Sequence, residues 1–249
     1  MPTETTIDGL LNRRVTLEQP AKGYRVAVDT VLLAAAVPAD NGQKILDLGC
    51  GAGGAMLCLA CRVPGITVTG VEIQDDLAAL CQSNITRNAF DACLTVCRAD
   101  AAICQNPHAG SFDHVMINPP YHDETTHDVS SQTQKRLANS GKPGDLGRWL
   151  ASAASALKKQ GMLTLVHRAD RLDEMIGLLR SDFGEIEVLP VAPKAGATAK
   201  RVILRARKNG TPVLTFCREF VLHQDDGRFT ETTEDVLRHM KVLPFVKAE

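Results

Sequence analysis

Between Lys44 and Arg205, short apolar runs alternate with longer segments in which apolar residues recur every three or four positions. Short runs rich in Val, Ile and Leu are typical of buried strands, and the longer spacing indicates amphipathic helices. The predicted strands are 44–48, 66–71, 93–97, 112–117, 161–167, 185–191, 201–205 and 213–222, and the predicted helices are 31–36, 56–61, 75–88, 145–159, 171–180 and 230–240. This alternation predicts an α/β fold, a doubly wound and mostly parallel sheet with helices on both faces.

The segments outside this alternation are more polar. Residues 1 to about 25 are interpreted as an N-terminal arm or a short hairpin. The stretch at about 122–144 has few large apolar side chains, and a loop of that length in a compact domain is usually functional or mobile, so we predict a lid. Asp29 or Thr30 is the expected N-cap of the first helix, and Thr230 that of the last. We see no internal boundary and expect one domain.

A glycine-rich turn follows the first predicted strand. Gly49-Cys50-Gly51-Ala52-Gly53 connects that strand to the next helix, as in a nucleotide-binding site. Glycines permit positive φ and close backbone approach, and amides at the helix start point at the ligand. Many dinucleotide-binding folds share such a turn. Asp47 adds information, because an acid beside the loop repels a pyrophosphate and suits a cationic ligand.

Two acids follow the next two strands. Glu72 ends the second predicted strand, where an acid accepts hydrogen bonds from ribose hydroxyls. Dinucleotide enzymes use the same device, so Glu72 indicates a ribose without identifying the cofactor. Asp100 follows the third predicted strand, and its carboxylate can accept a hydrogen bond from an adenine amine. The alternative for Asp100 is an aspartate that caps a loop.

The fourth strand, 112–117, ends at Asn118-Pro119-Pro120-Tyr121. Proline donates no ladder hydrogen bond and keeps the preceding residue extended, so Asn118 is expected in a stiff turn. Ligands bind at this end of the strands in open α/β sheets. Asn118 and the Pro119 carbonyl offer two acceptors to a planar amine, and Tyr121 offers a ring for stacking. The alternative is a tight proline turn with a surface tyrosine.

Composition narrows the functional classes. The 249 residues are 44% hydrophobic and 23% charged, as in ordinary globular proteins, and the formal net charge of −1 produces no global positive field. No apolar run reaches the length of a membrane span, and the polar N-terminus lacks the basic and apolar regions of a signal peptide. We therefore expect a cytoplasmic protein that does not associate with membranes.

Eight cysteines are present, and seven of them fall between Cys50 and Cys104. Cys58 and Cys61 form a CxxC, but zinc normally requires a second CxxC or paired histidines at suitable spacing. We interpret the cysteines as reduced, buried thiols and expect no metal.

The order Asp47 to Gly53, Glu72, Asp100 and the Asn118 turn resembles the Rossmann-like S-adenosylmethionine-dependent methyltransferases. The first three elements are similar to the cofactor-binding motifs of that superfamily. The fourth is similar to the Asn-Pro-Pro-Tyr motif of its members that methylate planar amino nitrogens. The resemblance implies a class I methyltransferase-like sheet of seven strands, with S-adenosyl-L-methionine as the cofactor.

Three flanking segments are similar to the bacterial tRNA adenine-N6 methyltransferase family that modifies the valine tRNA anticodon loop. They are Val26–Leu33, Arg201–Leu204 and Phe220–Glu231. This resemblance implies adenine N6 in tRNA as the acceptor. Families that methylate glutamine in release factors share the Asn-Pro-Pro-Tyr motif, but they usually carry an N-terminal helical domain for which this chain has too few residues. A protein glutamine, a small-molecule acceptor and an inactive cofactor-binding module remain alternatives.

The resemblance also implies roles in the cofactor site. Asp47 and the backbone of Gly49, Cys50, Gly51 and Gly53 hold the amino-acid end of the cofactor. Glu72 then binds the ribose hydroxyls, and Asp100 binds the adenine amine.

In the same interpretation, Asn118, Pro119 and Tyr121 are the catalytic residues, and Asn118 also borders the cofactor. An RNA substrate needs basic groups for its phosphates. The candidates are Arg13, Arg14, Lys22, Lys135, Arg136 and Lys142. The sequence leaves open whether the protein is a monomer or a homodimer.

Overall fold

The structure is a computed structural model that describes residues 4–22, 25–102, 109–119 and 145–248. Its helices are α1 (Val28–Ala36), α2 (Gly54–Arg62), α3 (Asp75–Arg87), α4 (Asp145–Ala156), α5 (Leu172–Leu179) and α6 (Glu231–His239). Its strands are β1 (Thr5–Leu10), β2 (Val15–Pro20), β3 (Lys44–Leu48), β4 (Thr67–Glu72), β5 (Leu94–Arg98), β6 (Phe112–Ile117), β7 (Leu157–Arg168), β8 (Phe183–Lys194), β9 (Arg201–Lys208), β10 (Leu214–Phe216) and β11 (Phe220–His223). The predicted lid at 122–144 lies outside these described residues.

The central sheet confirms the predicted doubly wound topology. Its strands lie in the order β10-β8-β9-β7-β6-β3-β4-β5, and β11 also pairs with β8. Strands β3 to β7 are parallel, whereas β9 is antiparallel to both β7 and β8. The strand order reverses between β3 and β6, which is the position at which open α/β sheets form a ligand crevice at their carboxyl ends.

The expected number of seven strands was too low, because the sheet contains nine within the described residues. The segment predicted as one strand, 213–222, forms two short strands that follow one another along the same edge of β8. β10 pairs with Ile186–Val188, and β11 pairs with β8 from Val191 onward. Between these two strands lies the buried Cys217, whose backbone forms an isolated antiparallel β-bridge with Lys247 near the C-terminus.

Helices cover both faces of the sheet, as predicted. On one face α1, α2, α3 and α6 surround a core that includes Leu33, Leu57 and Ile85. On the other face α4 and α5 bury residues such as Leu150 and Met175. No helix in the described ranges is long and apolar enough to cross a membrane.

The N-terminal segment forms the antiparallel hairpin β1–β2, one of the two forms expected for it. β2 alternates strictly, and Val15, Leu17 and Gln19 are its buried residues. Because β2 buries these side chains against the helices of the sheet, the hairpin is attached to the main body.

The largest differences from the predicted helix boundaries are at the start of α1 and the end of α4. α1 begins at Val28 after Ala27, so Asp29 and Thr30 are not its N-cap, and Asp29 instead accepts a hydrogen bond from Arg201 at 2.9 Å. α4 ends at residue 156, because Leu157 already pairs with β6. The cap of α6 is confirmed, since the Thr230 side chain accepts from the backbone N–H of Thr233.

Candidate active site

Three strand ends meet at the carboxyl edge of the sheet. Leu48 of β3 pairs with Val71 of β4 on one side and with Ile117 of β6 on the other. The next residues along the three strands therefore lie side by side, and they are Gly49, Glu72 and Asn118. The backbone N–H of Gly49 donates to the Val71 carbonyl at 2.8 Å, which ties the start of the loop to β4.

The glycine loop has the positive φ values that its glycines permit. Gly49, Gly51 and Gly53 have φ values of +72°, +57° and +91°, a region that side-chain-bearing residues rarely adopt. A Cβ built on Gly51 would meet no atom within 4 Å, so this peptide borders open space. α2 starts directly afterwards at Gly54. The free backbone N–H groups at the start of α2 therefore lie beside the loop.

Trp149 of α4 forms one wall of the loop. A Cβ on Gly49 would lie 2.6 Å from Cη2 of the indole ring. Gly49 is thus required for close packing as well as for its positive φ. The sequence predicts a helix over 145–159 and gives no sign that Trp149, the single tryptophan of the chain, reaches the glycine loop.

Glu72 is buried and braces the loop. Its Oε2 accepts from the backbone N–H of Gly51 at 3.0 Å, and its Oε1 accepts from that of Gln74 at 2.8 Å. Burial raises the pKa of this carboxyl, and the backbone amides partly oppose that rise. Each carboxylate oxygen retains a further lone pair, so the group can still accept from a diol.

Asp47 is a buried acid that lacks a cationic partner among the described residues. It is 2% exposed, and its Oδ2 has no hydrogen-bond partner. Burial raises the pKa of Asp47 to about 7, the charge of Glu72 adds to the rise, and the backbone N–H of Met56 opposes it. A buried carboxylate without a counter-charge is costly, and a cationic ligand group would remove that cost.

Asp100 and Cys50 have visible structural roles. Asp100 is half-buried after β5, and its Oδ1 accepts from the backbone N–H of Ala102 at 2.8 Å, as a loop cap does. Its predicted contact with adenine stays a prediction. Cys50 is buried, with its Sγ 4.0 Å from that of Cys81, and burial together with Cys81 raises the pKa of its thiol. Its side chain packs beneath the loop, so only its backbone is left to meet a ligand.

The turn after β6, predicted to be catalytic, is described in part. Asn118 is half-buried and Pro119 is buried, both directly after β6. Pro120 and Tyr121 lie outside the described residues, as do the candidate phosphate contacts Lys135, Arg136 and Lys142.

The remaining candidate phosphate contacts are on the hairpin. Arg14 donates to the carbonyls of Leu11 and Arg238, so it also has a structural role. Arg13 is exposed in the same turn, and Lys22 is exposed beyond the other end of β2. No cluster of His, Cys, Asp or Glu suited to a metal ion occurs in the described part of the chain.

Comparisons with known proteins identify the family of the chain. The model of the methyltransferase small domain family matches residues 24–194. A relative from Bacteroides thetaiotaomicron, named tRNA1(Val) (adenine(37)-N6)-methyltransferase, is 28% identical over 87% of this chain and 92% of its own length. One of the same name from Shewanella baltica is 27% identical over 87% and 91%. A crystal structure from Agrobacterium tumefaciens, described as a predicted O-methyltransferase, superposes with a TM-score of 0.70 at 27% identity and covers 84% of this chain and 94% of that one.

The residues present fit S-adenosylmethionine. This cofactor carries positive charge, a ribose diol and an adenine, and the edge of the sheet offers an unpartnered buried acid, a braced acid and an open glycine loop. The protein is an S-adenosylmethionine-dependent methyltransferase, as the sequence resemblance implied. With more than half of its length matched by the family model, the chain belongs to the methyltransferase small domain family.

Proposed function

We propose that this methyltransferase modifies N6 of an adenine in the anticodon loop of a tRNA. The observation that carries the proposal is the register of β3 and β6, which sets Asn118 beside Gly49 at the cofactor edge. The names of the similar bacterial proteins support the same acceptor. A tRNA substrate also agrees with the expected cytoplasmic location.

In this proposal, Asn118 and Pro119 hold the acceptor amine. The Asn118 side-chain oxygen and the Pro119 carbonyl each accept one of its two N–H bonds. The adenine N6 lone pair is delocalised into the ring, and two acceptors on the N–H bonds favour a pyramidal nitrogen that aims its lone pair outward. Tyr121 is proposed to stack on the base. Asparagine has no useful pKa, so catalysis rests on positioning and electrostatics.

The cofactor-binding roles are proposed from the same edge. S-adenosylmethionine, when bound, supplies a methyl group on a positively charged sulfur. Asp47 is proposed to balance the positive charge of the amino-acid end, Glu72 to accept from the ribose hydroxyls, and Asp100 to bind the adenine amine. The Gly49–Gly53 amides border the ligand. A base presented to this edge has to be unpaired, as in an RNA loop.

The test is transfer of labelled methyl from S-adenosylmethionine to an unmodified valine tRNA transcript, followed by nucleoside analysis. N6-methyladenosine is expected, at one position in the anticodon loop. A transcript with guanosine at that position is the matched control and should take up no label. RNA methylation should also weaken steeply with added salt, since phosphate contacts release counterions.

Asn118→Ala should lose methylation by about 100-fold or more, the scale of removing one group that stabilises a transition state, with a much smaller change in the Kd for S-adenosylmethionine, which Asn118 only borders. Full turnover by this variant would contradict the role of the turn. Label in protein glutamine, or only in small molecules, would replace tRNA as the acceptor.

A further inference from the structure

Asn84 on α3 and Asn88, the residue directly after α3, attach the N-terminal hairpin to the rest of the protein. Asn88 accepts from the backbone N–H of Thr16 at 2.9 Å and donates to its carbonyl at 2.7 Å. Asn84, one helical turn earlier, does the same with Glu18, at 2.8 and 2.7 Å. The two side-chain amides are four residues apart and bind alternate residues of β2. They therefore make the backbone hydrogen bonds that a neighbouring strand would make along the free edge of β2.

The two asparagines differ in the acceptor to which the side-chain amide makes a further hydrogen bond. In Asn84 the side-chain Nδ2 also donates to the carbonyl of Ala52 at 3.0 Å, and this carbonyl lies inside the glycine loop. In Asn88 it donates instead to the backbone carbonyl of Asn84 within α3, at 2.7 Å. Asn84 is fully buried and Ala52 nearly so, at 0% and 7% exposed. Of the two asparagines, Asn84 is therefore the one that connects the hairpin to the loop.

A second path runs from β2 to the same loop. The buried Gln19 accepts from the backbone N–H of Val26 at 2.7 Å. The Val26 side chain lies against Gly54, since a Cβ built on Gly54 would be 2.7 Å from Cγ2 of Val26. Gly54 is the first residue of α2, immediately after the loop. The hairpin thus supports the loop at two points.

We propose that Asn84 is a positioning residue for S-adenosylmethionine. By holding the Ala52 carbonyl, it fixes the peptides on either side, which belong to Gly51 and Gly53 with their left-handed φ values. Without that bond, a nearly buried carbonyl loses a hydrogen-bond partner, and the loop relaxes away from the conformation that receives the cofactor. The inference rests on the proposed contact between the glycine loop and the cofactor.

The test compares Asn84→Ala with Asn88→Ala. Both variants lose their two hydrogen bonds to the hairpin and should lower the melting temperature, Asn84→Ala more than Asn88→Ala because Asn84 is fully buried. Only Asn84→Ala should weaken cofactor binding, with a Kd about tenfold higher, whereas the Kd of Asn88→Ala should stay within about twofold of the original. Cofactor binding is followed by calorimetry or by the fluorescence of Trp149, which packs on Gly49.

A kinetic readout separates positioning from general destabilisation. In Asn84→Ala, KM for S-adenosylmethionine should rise while kcat at saturating cofactor changes little. If this variant does not fold, Asn84→Ser and Asn88→Ser are compared in the same way, because a hydroxyl leaves room for a water to satisfy the hairpin backbone. Equal Kd values for the two variants, measured at a temperature at which both are folded, would overturn the proposal. Because cofactor binding is measured without RNA, the result is independent of the acceptor.

Discussion

The acids at the two ends of the parallel strands have pKa values shifted in opposite directions. We call these ends the carboxyl edge and the amino edge of the sheet. At the carboxyl edge, Asp47 and Glu72 are buried, neither forms an ion pair with a described lysine or arginine, and burial raises the pKa of both. At the amino edge, Asp113 accepts from the backbone N–H of Lys44 at 2.9 Å and pairs with Lys158 at 2.6 Å, and these partners lower its pKa.

The comparison separates an acid that is neutralised within the fold from one that is not. Asp113 has its counter-charge in Lys158, so its ionised form is stable. Asp47 has no such counter-charge among the described residues, so it is ionised only at a cost. The proposed function accounts for this difference, because the amino-acid end of S-adenosylmethionine carries a positive charge that would offset the cost.

The largest expected difference between the edges comes from exchanging one carboxylate for an amide at each. Glu72→Gln should raise the Kd for S-adenosylmethionine by roughly 10- to 100-fold, because hydrogen bonds to a charged acceptor are lost or weakened. Asp113→Asn should leave that Kd unchanged. Calorimetric titration of both variants measures the effect, and a similar change in both would mean that the edges do not differ in function.

Gly49 provides the next largest effect. Gly49→Ala places a methyl group against Trp149 at a φ of +72°, and should cost about 2–4 kcal/mol from overpacking and left-handed strain together. Gly196→Ala is the matched control, because Gly196 has the same φ of +72° with no atom within 4 Å of the added Cβ. It should cost about 1 kcal/mol. Urea denaturation measures both, and equal losses would exclude the Trp149 contact as the cause.

Asp47→Asn tests the buried acid that has no counter-charge among the described residues. The folded pKa of Asp47, about 7, lies above its ordinary value of 3.8, so the folded state holds more protons between these values. Stability therefore falls as pH rises through this window, by up to about 1.4 kcal/mol per unit, and Asp47→Asn should remove that fall. The measurement is the difference in unfolding free energy between wild type and variant from pH 5 to 7.5. A difference that does not grow with pH would rule out a raised pKa.

Asp113→Asn should have the smallest effect on the protein. The lowered pKa of Asp113 means that its ion pair stabilises the fold above about pH 4 and that this contribution is lost as pH falls further. The loss at pH 7 should be about 1 kcal/mol, since the pair is partly exposed. Thermal unfolding at pH 7 and pH 3 measures it, and a deficit as large at pH 3 would point to packing instead of charge.

The strands that border this candidate site were predictable because their signals are local. The strand 112–117 and the strand 44–48 were predicted with the observed bounds, since prolines and glycines mark where each ends. The doubly wound, mostly parallel sheet followed from the alternation of strands and helices. The number of strands did not, because the segment 213–222, predicted as one strand, forms β10 and β11. Between these two strands Cys217 forms a β-bridge with Lys247, a contact distant in sequence.

The support of the loop was not predictable for the same reason. Asn84 lies on an ordinary amphipathic helix, and nothing in its neighbourhood in the sequence indicates a bond to Ala52, 32 residues away. Trp149 likewise reaches Gly49 only after the sheet has formed. The N-cap of α1 was misassigned because Asp29 is a good capping residue by type, while its actual partner, Arg201, comes from β9.

The pH dependence of cofactor affinity tests the electrostatic difference between the edges most directly. The experiment measures the Kd for S-adenosylmethionine by calorimetry from pH 5.5 to 7, a range in which the amino group of the cofactor stays protonated. If the cofactor binds ionised Asp47, the Kd should fall by close to tenfold per pH unit and level off near pH 7, and Asp47→Asn should show no such slope. A flat profile in the wild type would contradict a role for Asp47 in balancing the charge of the cofactor.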